Sequence, residues 1–281
     1  MTTDDLSWML KDIVHNVPRA RHAVLLSADG ILRGATDGLT EQDARTISAA
    51  MSGMQSLSRA TAHFAGDAED RQWNQTIIEF AHGWVFLIGA GQGAYLAAAA
   101  EPDVDMQQIS FRMHRLVARL GDNLVSHARV NAKERTGHAK ASYGTGPSGS
   151  GLVLPELDRV ISEVPGASHA LLLGAEGLPR GASSGISRDL ADTISAAMTG
   201  IHAYSRATFH FIGSVDETEW RQTVIEFAHG WIFLIAAGKR AFLTAAAEHD
   251  CDIEEFANRL HEIAPALTRD GAVRGEGVGD A

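Results

Sequence analysis

The sequence has almost no cysteine and fewer basic than acidic side chains. Cys251 is the one cysteine, so no internal disulfide can form, which favours a reducing compartment. The 35 Asp and Glu residues exceed the 24 Lys and Arg residues, and the formal net charge is −11. Because phosphate groups are recognised by clustered Lys and Arg, nucleic acids and anionic membrane surfaces are poor candidates for a ligand.

Long apolar runs are also missing. The longest, such as Trp84–Ala90 and Ala94–Ala100, are far shorter than the roughly 20 residues that span a bilayer. The N-terminal segment MTTDDLSWMLKDIV is acidic and lacks the basic start and apolar stretch of a signal peptide. We therefore expect a cytoplasmic protein without membrane insertion. A hydrophobic fraction of 45% over 281 residues is enough for two domains with real cores.

An internal repeat is the dominant pattern in the chain. TISAAM occurs at Thr46–Met51 and at Thr193–Met198, a shift of 193 − 46 = 147 residues. EFAHGW recurs at Glu79–Trp84 and at Glu226–Trp231 with the same shift. A repeat of this length is typical of a complete domain and is too long for a solenoid unit.

The repeat predicts how the chain is divided. We expect the first domain at 1–128 and the second at 152–267, and we call these two copies repeat 1 and repeat 2. The intervening segment 129–151 ends in SYGTGPSGSG, a composition typical of a flexible linker. The polar, Gly-rich tail 268–281 is expected to be disordered.

Each repeat predicts the order helix, strand, strand, helix, three strands, helix. Helical spacing of apolar residues marks the first helix, and Asp29-Gly30 marks a tight hairpin turn between two apolar runs. A long central helix is expected at about Thr40–Phe64, with Thr40 and Ser187 as equivalent N-caps. Because the connections between strands are short, the fold class is α/β (α+β), with a five-stranded, mainly antiparallel sheet and helices on both faces.

The wording of the repeats resembles the roadblock (dynein light chain) family. The resemblance lies in four phrases, VPxxxHAxLLxAxG, SRATxHF, WxQTxIEFAHGW and AxLxAAAE, which begin in repeat 1 at Val17, Ser58, Trp73 and Ala94. All four recur in repeat 2, so the resemblance covers nearly all of both copies. The sequence is most similar to the bacterial members found beside Ras-like GTPases and sensor kinases in actinobacterial gene clusters.

The resemblance implies a protein-binding platform and not an enzyme. Roadblock domains usually dimerise by joining edge strands, with the two central helices side by side, and that face often binds a small GTPase. Some bacterial members accelerate GTP hydrolysis without inserting an arginine. The two repeats are accordingly expected to form an intramolecular pseudo-dimer, and further homo-oligomers remain open. The implied partners are a small Ras-like GTPase and a sensor kinase, and no cofactor is expected.

The resemblance also assigns residues to two surfaces. The partner-binding surface on the central helices would comprise Arg45, Ser48, Ser52, Gln55, Arg59, Asp192, Ser195, Thr199, His202 and Arg206. The pseudo-dimer interface would comprise Trp73, Gln75, Ile77, Trp220, Gln222 and Val224. Arg45 corresponds to Asp192, Gln55 to His202 and Leu57 to Tyr204, and these differences would let the platform orient one partner.

Catalytic and metal-binding motifs are weak in comparison. Three histidines recur, as His22/His169, His63/His210 and His82/His229, but none has the spacing of a zinc motif. Gly89, Gly91 and Gly93 join two predicted strands and open no helix, unlike a dinucleotide-binding loop. No catalytic residue and no metal ligand is therefore predicted. A small-molecule sensory module remains the alternative function, and it requires a largely apolar cavity.

Overall fold

A computed structural model describes residues 3–66, 71–91, 93–120, 152–213 and 219–275. Repeat 1 contains helix α1, a β-hairpin, the central helix α2, three further strands and helix α3. Their bounds are α1 Thr3–Asn16, β1 Ala20–Ser27, β2 Leu32–Ala35, α2 Glu41–Ala60, β3 Trp73–Phe80, β4 Gly83–Gly89, β5 Ala94–Ala100 and α3 Met106–Leu120. A short 3-10 helix, Ala62–Phe64, follows α2.

Repeat 2 has the same elements in the same order. Their bounds are α4 Pro155–Glu163, β6 Ala167–Gly174, β7 Pro179–Ala182, the central helix α5 Arg188–Ala207, β8 Trp220–Phe227, β9 Gly230–Ala236, β10 Ala241–Glu248 and α6 Ile253–Gly275. A 3-10 helix, Phe209–Ile212, follows α5. The predicted element order is therefore confirmed in both repeats.

Each repeat forms a five-stranded antiparallel sheet, as predicted. The strand order is β2-β1-β5-β4-β3 in repeat 1 and β7-β6-β10-β9-β8 in repeat 2. Pro179 begins β7, which pairs with β6 and lies at the sheet edge. That position was expected because proline has no N–H to donate to a second neighbour.

Side-chain caps begin the central helices at the predicted residues. The Asp43 N–H donates to Thr40 Oγ1 at 3.1 Å, and the Leu190 N–H donates to Ser187 Oγ at 3.2 Å. Each cap satisfies one of the N–H groups that a helix leaves unpaired at its start. The α-helical part of α2 ends at Ala60, earlier than the predicted Phe64, because the last residues tighten into the 3-10 helix.

Both faces of each sheet are covered. In repeat 1 the side chains of Leu25, Phe86 and Leu96 pack with α1 and α3 in one apolar cluster. The alternate residues Val24 and Leu87 point to the other face and are fully buried too. Burial on both faces explains why these strands are apolar runs and do not alternate with polar residues.

The compact units of the structure cross the boundaries of the repeats. The first unit comprises the described residues of Met1–Ser56, Asn74–Ser142 and Ala203–Arg221, and the second those of Leu57–Trp73, Tyr143–His202 and Gln222–Ala281. Each repeat thus contributes a segment that runs from the last turn of its central helix to the start of the next strand, and this segment belongs to the unit built around the other repeat. We call Leu57–Trp73 and Ala203–Arg221 the exchanged segments.

Two details of the structure differ from the sequence-based expectations, and one predicted segment lies outside the described residues. Val153 fits the apolar spacing that predicts the first helix of repeat 2, but it forms an isolated bridge with Ala182, because that helix begins at Pro155. Helix α6 continues through Gly275, past the expected start of the tail at 268. The predicted linker 129–151 lies outside the described residues, and the domain boundaries stay a prediction.

Candidate functional site

The exchanged segment of repeat 2 is held in the first unit by an aromatic contact and an arginine. Phe211 is fully buried and stacks on His22, with ring centroids 6.4 Å apart. Arg21 Nη1 donates to the Ile212 carbonyl oxygen at 2.6 Å. The Ala81 N–H donates to Glu219 O at 2.8 Å. Repeat 1 therefore binds this segment through apolar, charged and backbone groups together.

The second unit holds the exchanged segment of repeat 1 at equivalent places. Phe64 lies against His169 with ring centroids 5.6 Å apart, and the Ala228 N–H donates to Gln72 O at 2.8 Å. The polar group differs, since His229 Nε2 lies 3.1 Å from Ala62 O. The equivalence of these contacts shows that the exchange is a shared feature of the two repeats.

Glycines let the central helices approach within each unit. A Cβ atom built on Gly53 of α2 would lie 2.4 Å from Cζ of Tyr204 of α5, inside the first unit. In the second unit, a Cβ on Gly200 would lie 2.5 Å from Cδ1 of Leu57. Both distances are far below van der Waals contact, so a side chain at either position would require its neighbour to shift. The predicted difference Leu57/Tyr204 therefore lies at a helix–helix contact.

Exposure separates the predicted partner-binding residues into two groups. Ser48, Gln55 and Ser195, which were predicted to bind a partner, are buried in the structure, and their role in binding stays a prediction. Ser48 Oγ donates to Ala44 O within its own helix, which satisfies the hydroxyl without a partner. The exposed or partly exposed members are Arg45, Ser52, Arg59, Asp192, Thr199, His202 and Arg206.

The partly exposed members have local contacts. Ser52 Oγ donates to Ala28 O at 2.6 Å, which ties α2 to the β1–β2 turn. Thr199 Oγ1 donates to Ser195 O at 2.9 Å. His202 packs against Phe242, with ring centroids 4.3 Å apart. These contacts leave the charged side chains at the helix starts and ends as the most accessible groups.

The two central helices begin with ion pairs of opposite polarity. In α2, Glu41 Oε1 lies 2.6 Å from Nη2 of Arg45 one turn later. At the equivalent positions of α5, Nε of Arg188 lies 3.2 Å from Oδ1 of Asp192. The predicted difference between Arg45 and Asp192 is thus accompanied by the opposite difference between Glu41 and Arg188, so the order of the two charges is reversed. All four side chains are at least half exposed, so the pairs add little stability and mark a polarity on the surface.

The hairpin tips are a surface feature that the sequence reading missed. Ile31 is 54% exposed and its equivalent Leu178 is 60% exposed. Each follows a glycine with positive φ that packs on the central helix: a Cβ on Gly30 would lie 3.3 Å from Ser52 Cβ, and one on Gly177 would lie 3.3 Å from Thr199 Oγ1. The sequence did contain a signal for this feature, because an apolar residue directly follows the turn in both repeats.

Four of the predicted interface residues contact the helices of their own repeat. Ile77 packs against the apolar cluster of α1 and α3, and Val224 packs against the equivalent cluster of α4 and α6. Ser110 Oγ donates to Gln75 Oε1, and Gln222 Oε1 lies 3.3 Å from His261 Nε2. Trp73 and Trp220 are buried at the starts of their strands. The interface role of these six residues stays a prediction.

Two observations on the described ranges concern metal and small-ligand sites. No three His, Cys, Asp or Glu side chains are grouped there closely enough to hold a metal ion. A depression of about 400 Å³ is lined by polar and mostly acidic residues: Asp252, Glu254, Glu255, Asn258, Arg259 and Glu262. That lining lacks the apolar character that the sensory alternative requires. None of the described helices has the length and apolarity needed to cross a membrane.

Comparison with known proteins agrees with these repeats. The Roadblock/LC7 domain family matches residues 6–100 and 154–247. A Roadblock/LC7 domain from Streptomyces avermitilis is 30% identical, with 43% of this chain and 98% of that chain covered and a TM-score of 0.38.

Two MglB proteins are matched at lower identity. Myxococcus xanthus MglB is 10% identical, with 45% and 94% of the two chains covered and a TM-score of 0.37. The gliding protein MglB from Thermus thermophilus is 19% identical, with 43% and 96% covered and a TM-score of 0.37. No curated protein matches the chain significantly. Because the family match spans both repeats and most of the chain, the chain belongs to the Roadblock/LC7 domain family, with one domain in each repeat.

Proposed function

We propose that this chain is a non-catalytic platform that binds a small Ras-like GTPase of a bacterial signalling system through its central helices. The observation that carries the proposal is that, in both repeats, an exposed apolar residue follows a tight turn that packs on the central helix. The choice of a GTPase as partner rests on the resemblance to roadblock domains. Stimulation of GTP hydrolysis and a docking role for a sensor kinase are extensions of the same proposal.

The proposed binding surface combines the two feature types. At its hairpin tip each unit has one exposed apolar side chain, Ile31 in the first and Leu178 in the second, that a bound partner would remove from water. The reversed pairs Glu41–Arg45 and Arg188–Asp192 supply electrostatic polarity. Polarity of this kind fixes the orientation of a partner and its association rate more than its affinity.

The first experiment measures binding of the full chain to a purified Ras-like GTPase in the GDP and GTP states. We expect Ile31→Ser and Leu178→Ser each to weaken binding about tenfold or more, since each loses a buried apolar contact. Phe111→Asn is the matched control, because Phe111 is an exposed apolar residue of α3, away from this surface. Absence of binding in both nucleotide states would reject the proposal.

A second experiment tests the orientation of the partner. The four changes Glu41→Arg, Arg45→Asp, Arg188→Glu and Asp192→Arg retain both ion pairs and the net charge but exchange their polarity. We expect a slower association rate with little change in folding stability. A chain that carries only the two α2 changes, Glu41→Arg and Arg45→Asp, is the control. It shows whether altering the charges of one helix is enough to slow association. An unchanged association rate would exclude the helix starts from the interface.

A further inference from the structure

The last helices of the two repeats have exposed faces of opposite character. Helix α3 has no acidic residue, and Phe111 on it is 65% exposed. Arg115 and Arg119 follow at intervals of four residues and are exposed as well. Residues four apart lie one above the other on a helix, so the three side chains form one stripe. We call Phe111, Arg115 and Arg119 the basic stripe.

The neighbouring arginine of α3 is already used within the first unit. Arg112 donates two hydrogen bonds, both 2.7 Å long, to the carboxylate of Asp12 on α1. This contact lowers the pKa of Asp12 and keeps its carboxylate charged. Arg112 thus fixes α3 on α1, while the basic stripe faces solvent.

The equivalent face of α6 is acidic and has a shallow, open depression. Asn258 occupies the place of Phe111, and Glu262 occupies the place of Arg115. Both line the depression of about 400 Å³, together with Glu254 and Glu255. Arg259, which also lines it, is engaged by Glu163 of α4 and by Glu262. The accessible charge of this depression is therefore negative.

We propose that the basic stripe of one molecule docks into the acidic depression on α6 of a second copy of this chain. Two observations favour this occupant: the charges are complementary, and the exposed Phe111 side chain gains burial by packing on the open depression. The surfaces are different parts of the chain, so the contact is head-to-tail and each bound molecule offers a further site. The docking extends beyond GTPase binding and does not depend on it.

The test is sedimentation of the full-length chain over a range of concentrations and salt. At about 0.01 M salt, where charges act over about 30 Å, we expect species larger than a dimer that grow with concentration. At about 1 M salt, where the screening length is about 3 Å, we expect a monomeric chain. A chain that remains monomeric at low salt and high concentration would overturn the proposal.

Matched variants distinguish this contact from general charge attraction. Phe111→Asn and Arg115→Glu place the residues of repeat 2 in α3, and each should weaken the assembly at least tenfold. Arg33→Glu, on β2, changes the net charge by the same amount as Arg115→Glu and should leave the assembly intact. Glu262→Arg alone should also disrupt the assembly, and its combination with Arg115→Glu should restore it. Equal loss in the Arg33 variant, or no recovery in the combination, would overturn the docking geometry, and circular dichroism would verify that each variant is folded.

Discussion

The two compact units bind their exchanged segments with the same aromatic contact but with different polar groups. In the first unit Arg21 holds the Ile212 carbonyl. In the second unit the residue equivalent to Arg21 is Ser168, whose hydroxyl donates to Ala246 O instead, and His229 lies against Ala62 O. The buried phenylalanine is thus the common element, while the polar contact comes from strand β1 in the first unit and from the β8–β9 turn in the second. A net contribution of about 1 kcal/mol for one hydrogen bond is consistent with that difference.

The largest effect should follow from removing the shared aromatic side chains. Phe211→Ala should destabilise the first unit, and Phe64→Ala the second, by about 3–5 kcal/mol each, because both side chains are fully buried. Amide hydrogen exchange of the Ala81 and Ala228 N–H groups reports on the two units separately. Equal acceleration of both amides by either variant would show that the units do not respond independently.

The close approach of the central helices should give the next largest effect. Gly53→Ala places a methyl group against the Tyr204 ring and should cost about 1–3 kcal/mol in the free energy of unfolding. In a Tyr204→Ala background the same change should stabilise by about 1 kcal/mol, because alanine favours a helix over glycine. Urea denaturation of the four chains measures both values.

Gly200→Ala is the variant of repeat 2 that corresponds to Gly53→Ala and is compared with it. Its neighbour is the end of the Leu57 side chain, which can move more easily than an aromatic ring. The cost should therefore be smaller than at Gly53. If Gly53→Ala has the same cost with and without Tyr204, the ring does not set the helix approach.

Replacing the arginine specific to the first unit should have a smaller effect. Arg21→Ser copies Ser168 of repeat 2 and should lower the free energy of unfolding by about 1 kcal/mol, since the guanidinium is more than one-third exposed and screened by water. The Ala81 amide should exchange faster and the Ala228 amide should not. Arg33→Ser, an exposed arginine elsewhere on the same sheet, provides the control.

The smallest expected effect is a pH dependence of the first unit. Burial, and secondarily the charge of Arg21, lowers the pKa of His22 below its usual value of 6.5. The unfolded chain therefore takes up the proton first as the pH falls, so stability is complete above about pH 6.5 and is lost below it. His22→Gln should remove this part of the slope in urea midpoints measured between about pH 7.5 and pH 5. An identical slope in the variant would assign the dependence to other groups.

The sequence predicted the elements well because their signals are local. Apolar spacing, Thr40 as a cap and Asp29-Gly30 as a turn act within a few residues, and each led to a correct element. The exchange could not be predicted, because SRATxHF occurs in both repeats and Phe64 matches a site at His22 as well as one at His169. Burial of Ser48 and Gln55 was missed because helical periodicity does not show how many neighbours a helix has.

The surface features needed information that a single helix does not contain. The reversal of Glu41–Arg45 into Arg188–Asp192 is visible in the sequence only when both positions are aligned across the repeats. The exposure of Ile31 and Leu178 depends on the tight turns beside them and on how those turns contact the central helices. Apolar residues in a strand pattern are normally assigned to the core, which is why these two were overlooked.

The exchange of segments also constrains when this chain can fold during its synthesis. The first unit requires Ala203–Arg221, so the ribosome must complete most of repeat 2 before repeat 1 can bury Phe211 against His22. Until then, the sheet of repeat 1 lacks part of its cover, and a nascent chain with exposed apolar strands is prone to aggregate. Contacts between residues so distant in sequence also slow folding. Because the repeats are fused in one polypeptide, the missing segment is part of the same chain. The apolar strands of repeat 1 can therefore be covered as soon as that segment has been translated.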